Sequence, residues 1–111
     1  MKISIEEMDG GITRVVLDGR LDIAGAAEVD LKMNIVAGSA KFLLIDLKDV
    51  TFLGSMGLRS IVVPAKNVSR RGGKAVLYAP QPMVEDVIKA SSIDQIIPIY
   101  HELDAATQAL R

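Results

Sequence analysis

The segment Lys41-Phe42-Leu43-Leu44-Ile45-Asp46 sets four consecutive large apolar residues between charged ones. So continuous a run suits a strand buried on both faces, because a strand with one wet face alternates apolar and polar residues instead. Such a strand belongs at the centre of a sheet.

The flanking sequence supplies the partners. Ile3 to Glu7 alternates and reads as a strand, Asp9-Gly10-Gly11 as a turn, and Ile12 to Asp18 as the returning strand of a hairpin. After Gly19-Arg20-Leu21-Asp22, the apolar residues Ala26, Val29, Met33 and Val36 recur at helical spacing, and Gly38 stands where a left-handed helix stop belongs. Beyond the central strand, Leu58, Ile61, Val62, Ala65 and Val68 predict a second helix from Ser55 to Gly72-Gly73. Ser60-Ile61-Val62-Val63 has strand propensity, and Pro64 removes a helical hydrogen bond, so a bend is expected there. Ala75 to Tyr78 is a strand, Pro82 to Ala90 a short helix, Ile96 to Ile99 a weak strand interrupted by Pro98, and Glu102 to Leu110 a terminal helix. This order predicts one α/β domain over residues 1–111, with a mixed sheet.

Composition narrows the function. Thirteen basic residues against fourteen acidic ones leave no excess positive charge for phosphate backbones, so nucleic acid is not an expected partner. The one basic concentration, Lys66, Arg70, Arg71 and Lys74, is expected to complement the carboxyl end of a helix. No apolar run approaches the roughly 20 residues of a membrane span, and the opening residues lack the apolar core of a secretory signal, so a cytoplasmic protein without membrane insertion is expected. The absence of cysteine removes disulfides, thiolate zinc sites and cysteine nucleophiles together.

The stretch that carries chemistry is Asp46-Leu47-Lys48-Asp49-Val50-Thr51-Phe52-Leu53-Gly54-Ser55-Met56-Gly57-Leu58. It predicts a strand passing through a short loop into a helix that starts at Ser55, between Gly54 and Gly57. Unpaired amides and a positive dipole end at a helix start tolerate an attached anion, so a phosphate on Ser55 would fit. The alternative is that Ser55 is only a helix cap. Enzyme motifs do not match: Leu53 stands where a nucleophile elbow needs glycine, and no lysine follows Gly57 as in a phosphate-binding loop. The single histidine, His101, is expected on the surface of the C-terminal segment.

These residues carry a family resemblance. Gly19-Arg20-Leu21-Asp22 before a helix, then Ile45-Asp46-Leu47-Lys48-Asp49-Val50 through Ser55-Met56-Gly57-Leu58, resembles the STAS domain of bacterial anti-sigma factor antagonists over essentially the whole chain. The resemblance implies a sheet of four to five strands with helices packed against one side, and no cofactor. It implies that Ser55 is the phosphate acceptor, with Asp22 of the G-x-L-D turn nearby. Two positions depart from the family's pattern: Gly54 replaces an aspartate, and Met56 a serine or threonine. Gly25 stands where a serine or threonine cap is typical.

The implied mechanism is a partner switch. The unmodified protein would bind an anti-sigma factor, itself a serine kinase, and free a sigma factor. The kinase would phosphorylate Ser55 to break the complex, and a serine phosphatase would reset it. The expected contact surface comprises Asp22, the loop from Thr51, an exposed Leu53, Gly54, Ser55, an exposed Met56, Gly57 and Leu58. The departures at Gly54 and Met56 imply slow phosphorylation, and leave open a scaffold that is never phosphorylated, docked on a transporter for lipid trafficking or on a signalling assembly.

Overall fold

A computed structural model describes residues Met1–Arg111. Five strands form one sheet in the order β1 (Lys2–Met8), β2 (Ile12–Leu21), β3 (Phe42–Leu53), β4 (Lys74–Tyr78) and β5 (Ile99–Tyr100). β1 and β2 are the antiparallel hairpin, and every later pairing is parallel. Gly10 and Gly11 both adopt positive φ in its turn, a backbone region costly for other residues. β3 is central, and Leu43, Leu44, Ile45 and Leu47 are fully buried.

Helices α1 (Ile23–Ser39), α2 (Ser55–Arg70) and α3 (Pro82–Ala90) cover one face. There Val15, Leu17, Leu43, Ile45 and Leu77 meet Val29, Met33, Ile61, Val68 and Ile88 in the main core. The terminal helix α4 (Leu103–Leu110) lies on the other face, where Ala106 and Leu110 cover Ile12, Leu44 and Val76. The expectation of helices on one side thus holds for three of the four. Because α4 dries the second face, the run at Phe42–Ile45 needs no polar alternation.

Asp46, at the end of that run, is fully buried but fully paired. Arg14 on β2 donates to it at 2.6 Å, the Lys48 ammonium at 2.8 Å and the Lys48 amide at 3.0 Å. Burial pushes its carboxyl up, the donors from Lys48 and Arg14 pull it down, and the donors win: Asp46 stays ionised below the ordinary carboxylate range. His101 is on the surface as expected, 2.6 Å from Glu85 on α3. Glu85 is held below its ordinary range by Lys89 first and His101 second.

Three local expectations are corrected. Gly38 does not stop α1 with a left-handed turn; it lies inside the helix, without positive φ. Instead the Arg71 guanidinium, arriving from beyond α2, donates to the carbonyls of Ala37 and of Ala40, the latter at 2.9 Å. The clustered cations complement helix ends as expected, Arg70 in the last turn of α2 and Arg71 at the end of α1. β3 does not hand over to a loop at Asp46 or Thr51; it continues to Leu53, so Thr51 is a strand residue. The last strand is Ile99–Tyr100, because Ile93–Gln95 forms a single 3₁₀ turn and Pro98 precedes the pairing. The helix expected through Ser60–Val63 is present: Pro64 sits buried inside α2, and packing overrides the local strand propensity.

Candidate functional site

β2 and β3 end side by side, Leu21 opposite Leu53, and each feeds directly into a helix. Two irregularities in the β2–β3 register, at Val16/Asp18 and Gly19/Arg20, shift the alternation along β3. As a result Val50 and Leu53 both point into the core, and Thr51 and Phe52 both face out. Leu53 is therefore buried, which corrects its expected place on a contact surface.

The strand-to-helix junction is tight. The Gly54 amide donates to the Leu21 carbonyl at 3.1 Å, and the Gly54 carbonyl accepts the first α2 bond, from Leu58, at 2.9 Å. Gly54 is the N-cap, with no side-chain cap bond, so Ser55 is the first helical residue and not the cap. The amides of Ser55, Met56 and Gly57 precede the first intrahelical bond and form the positive end of the helix dipole. Gly57 is buried against β2: a Cβ there would collide with the Leu21 carbonyl oxygen and lie 2.7 Å from Leu21 Cγ. Leu58 is half-buried against the core.

The start of α1 is built alike but closed differently. Asp22 is its N-cap, its carboxylate accepting the Gly25 amide at 2.8 Å. That backbone bond is the largest cause holding Asp22 below the ordinary carboxylate range, and neighbouring Arg20 adds to it. Gly25 is accordingly not the cap; it is needed because a Cβ would collide with the Arg20 carbonyl oxygen.

Between the two helix starts is a depression of about 420 Å³, lined by Asp22, Ile23, Ala24, Phe52, Gly54, Ser55 and Met56. It brings together Asp22, Gly54, Ser55 and Met56 as expected. Leu53, Gly57 and Leu58 belong to its support, and Thr51 lies outside it, its hydroxyl 3.4 Å from the Gly19 carbonyl. Ser55 is exposed, and its surroundings are apolar: Ile23 is 74% exposed, Met56 41% and Phe52 38%. Asp22 is the only titratable side chain in the lining. The Arg20 guanidinium lies 4.4 Å from the Phe52 ring centroid and 3.6 Å from the Asp22 carboxylate, and so ties the rim together. A larger depression of about 670 Å³, between β1 and α1, shares no residue with this one and has charges of both signs at Lys2, Asp18, Glu28, Lys32 and Asp49.

Phe52, Ile23 and Arg20 are the members sequence reasoning missed. Ile23 carried a usable signal, being a large apolar residue directly after a capping aspartate. Phe52 did not, because its orientation depends on the register shifts. The site presents no metal-ligand cluster: no group of three or more acidic, histidine or cysteine side chains gathers anywhere in the chain. No helix is long and apolar enough to cross a membrane.

Comparison with known proteins agrees with this architecture. The STAS domain family profile matches residues 4–106. The anti-sigma F factor antagonist of Paenibacillus polymyxa is 30% identical over 112 residues, covering 97% of this chain and 96% of its own. The crystal structure of an anti-sigma factor antagonist from Mycobacterium paratuberculosis superposes with a TM-score of 0.88 at 29% identity, over 99% of this chain and 93% of that one. The Bacillus anti-sigma factor antagonist SpoIIAA, solved in unphosphorylated and phosphorylated forms, shares the fold with TM-scores of 0.78 and 0.74 at 16% identity; each covers 97% of this chain, and this chain covers 96% and 99% of them. With its hairpin-led mixed sheet, its paired helix starts and the profile match across nearly its full length, the chain belongs to the STAS domain family.

Proposed function

We propose that this protein is an anti-sigma factor antagonist of the bacterial cytoplasm, acting by binding and not by catalysis. It sequesters an anti-sigma factor that is also a serine kinase, and so frees a sigma factor. Phosphorylation of Ser55 ends the binding, and a serine phosphatase restores it. The names of its relatives support the antagonist role. The observation that carries the switch is the placement of Ser55: exposed, first in α2, beside uncapped amides and ringed by exposed Ile23, Phe52 and Met56.

Those two aspects do different work. The open helix end tolerates an anion, so the phosphorylated protein stays folded. The apolar rim does not: a phosphate adds about −1.5 to −2 charges to a surface a partner would otherwise dry, beside the carboxylate of Asp22. Losing about 2.7 kcal/mol there is a hundredfold loss of affinity.

One observation favours a second reading, a scaffold that is never phosphorylated. The family's usual aspartate would occupy position 54, where a Cβ already comes within 3.3 Å of the Phe52 ring. An aspartate there would need the Phe52 ring to give by a few tenths of an ångström, and Met56 replaces the second hydroxyl. Binding assays with the anti-sigma kinase separate the two readings. For a switch, Ser55→Asp weakens binding at least about tenfold and Ser55→Ala binds like the unmodified protein. Met56→Asp weakens binding on either reading; unchanged affinity would show that this rim is not the contact surface.

A further inference from the structure

The two edges of the sheet are unequal. β5 offers two residues, whereas β1 offers seven, paired on the β2 side alone. Five of those seven residues are exposed, the pairing with β2 runs without a shift, and β1 contains no proline. So long and regular an edge presents a row of main-chain donors and acceptors that another strand can complete.

Charge on this edge is ordered. Side chains alternate between faces, so Lys2, Ser4 and Glu6 lie on the face opposite α1, directly beside Asp18, Val16 and Arg14 of β2. Signs alternate from strand to strand: Arg14 donates to Asp46 at 2.6 Å and stands beside Glu6, and Asp18 stands beside Lys2. The series stops at the edge, where Lys2 and Glu6 are exposed and each is flanked on one side only.

We propose that β1 is a self-association edge, and that its occupant is β1 of a second copy of this chain, added antiparallel about a two-fold axis at Ser4. Two five-stranded sheets then become one. With Ser4 opposite Ser4, each Lys2 faces Glu6 of the other copy. Like charges stay four residues apart along the strand, about 13 Å. The alternation continues through the axis, from Asp46, Arg14 and Glu6 of one copy to Lys2 and Asp18 of the next.

The same register suits the other face. Ile3, half-buried against the main core, comes opposite Ile5, which is 45% exposed, so each copy's Ile5 covers apolar surface at the other's edge. Neighbouring registers lose the ion pairs: an axis at Ile3 sets Lys2 opposite Ser4, and an axis at Ile5 sets it opposite Met8. In strand addition main-chain hydrogen bonds supply the affinity, about six in this register, and side-chain pairs supply the selectivity. The depression of about 670 Å³ along this edge shares no residue with the one at Ser55, so association leaves Ser55 open in both copies.

Sedimentation velocity of the full chain from roughly 1 µM to 1 mM tests this, spanning the Kd values of weak association. The wild type should move from monomer toward dimer as concentration rises. Lys2→Glu and Glu6→Lys, both at exposed positions, should each stay folded and weaken self-association at least about tenfold, since each sets like charges opposite one another twice. An equimolar mixture of the two variants should form a mixed dimer as readily as wild type, because every opposed pair is again of unlike sign. The chain has no cysteine, so Ser4→Cys gives a clean register test: the two thiols meet on the axis and should cross-link under mild oxidation. A wild type that stays monomeric, or variants that dimerise like wild type, overturn the proposal. So does a mixture that fails to associate, or a Ser4→Cys dimer that does not cross-link.

Discussion

The starts of α1 and α2 lie next to each other at the end of β2 and solve the same packing problem with opposite charge. In each, the third helical residue is a glycine pressed on a β2 carbonyl, Gly25 on Arg20 and Gly57 on Leu21. In each, a backbone carbonyl of the N-cap accepts the first helical bond, from Ala26 at 2.8 Å or from Leu58 at 2.9 Å. Only α1 has a carboxylate on its exposed amides. Close packing fixes where both helices begin, and the cap decides whether the dipole is already answered. α1 is closed permanently, whereas α2 is left for a charge that can be added and removed.

The largest effects should come from what the two ends share. Gly25→Ala and Gly57→Ala each force a Cβ into a backbone carbonyl that no side-chain rotation relieves. Each should cost about 3 kcal/mol or more in urea unfolding. A loss below about 1 kcal/mol at either site would mean that its helix can slide off β2.

Smaller effects should come from what separates them. Asp22→Ala removes the α1 cap and should lower the melting temperature by several degrees. Ser55→Ala removes no cap and should change stability by no more than about 0.5 kcal/mol. Equal losses from the two would contradict the assignment of Gly54 as the α2 cap.

The smallest effect is one of pH. The Asp22 carboxyl is lowered in the folded state, so its contribution is fully present above the ordinary aspartate value of about 3.9. That contribution fades as pH falls through the lower folded value. Asp22→Asn keeps a capping oxygen without the titrating charge. The stability difference between wild type and this variant should therefore shrink on acidification. Asp46 and Glu85, also lowered, lose their contributions in the acid range in both proteins and cancel in the comparison. A difference that stays constant to low pH would show that the Asp22 charge does not hold the α1 start.

What was legible in the sequence was written in local chemistry. The glycine turn, the buried run at Phe42–Ile45 and the position of Ser55 at a helix start all depend on near neighbours. What was illegible depends on contacts distant in the chain. Leu53 is buried because the β2–β3 register slips, and nothing within β3 announces the slip. α1 runs past Gly38, and Arg71, more than thirty residues on, donates to its last carbonyls. Gly25 resembled a weak cap, and only the nearness of the Arg20 carbonyl shows why no side chain fits there.

The central claim is that α2 begins open so that Ser55 can receive and release charge. The most direct measurement is to incubate the protein with its anti-sigma kinase and ATP, long enough to include a slow reaction. Intact mass and phosphopeptide mapping are then read alongside the fraction still in complex. The expected result is one phosphate, on Ser55, appearing in step with dissociation. Ser60 should stay unmodified, since it is buried and donates to Asp30. No phosphate on Ser55, a stoichiometric phosphate on Ser69, Ser91 or Ser92 instead, or a complex that survives Ser55 phosphorylation would contradict the account.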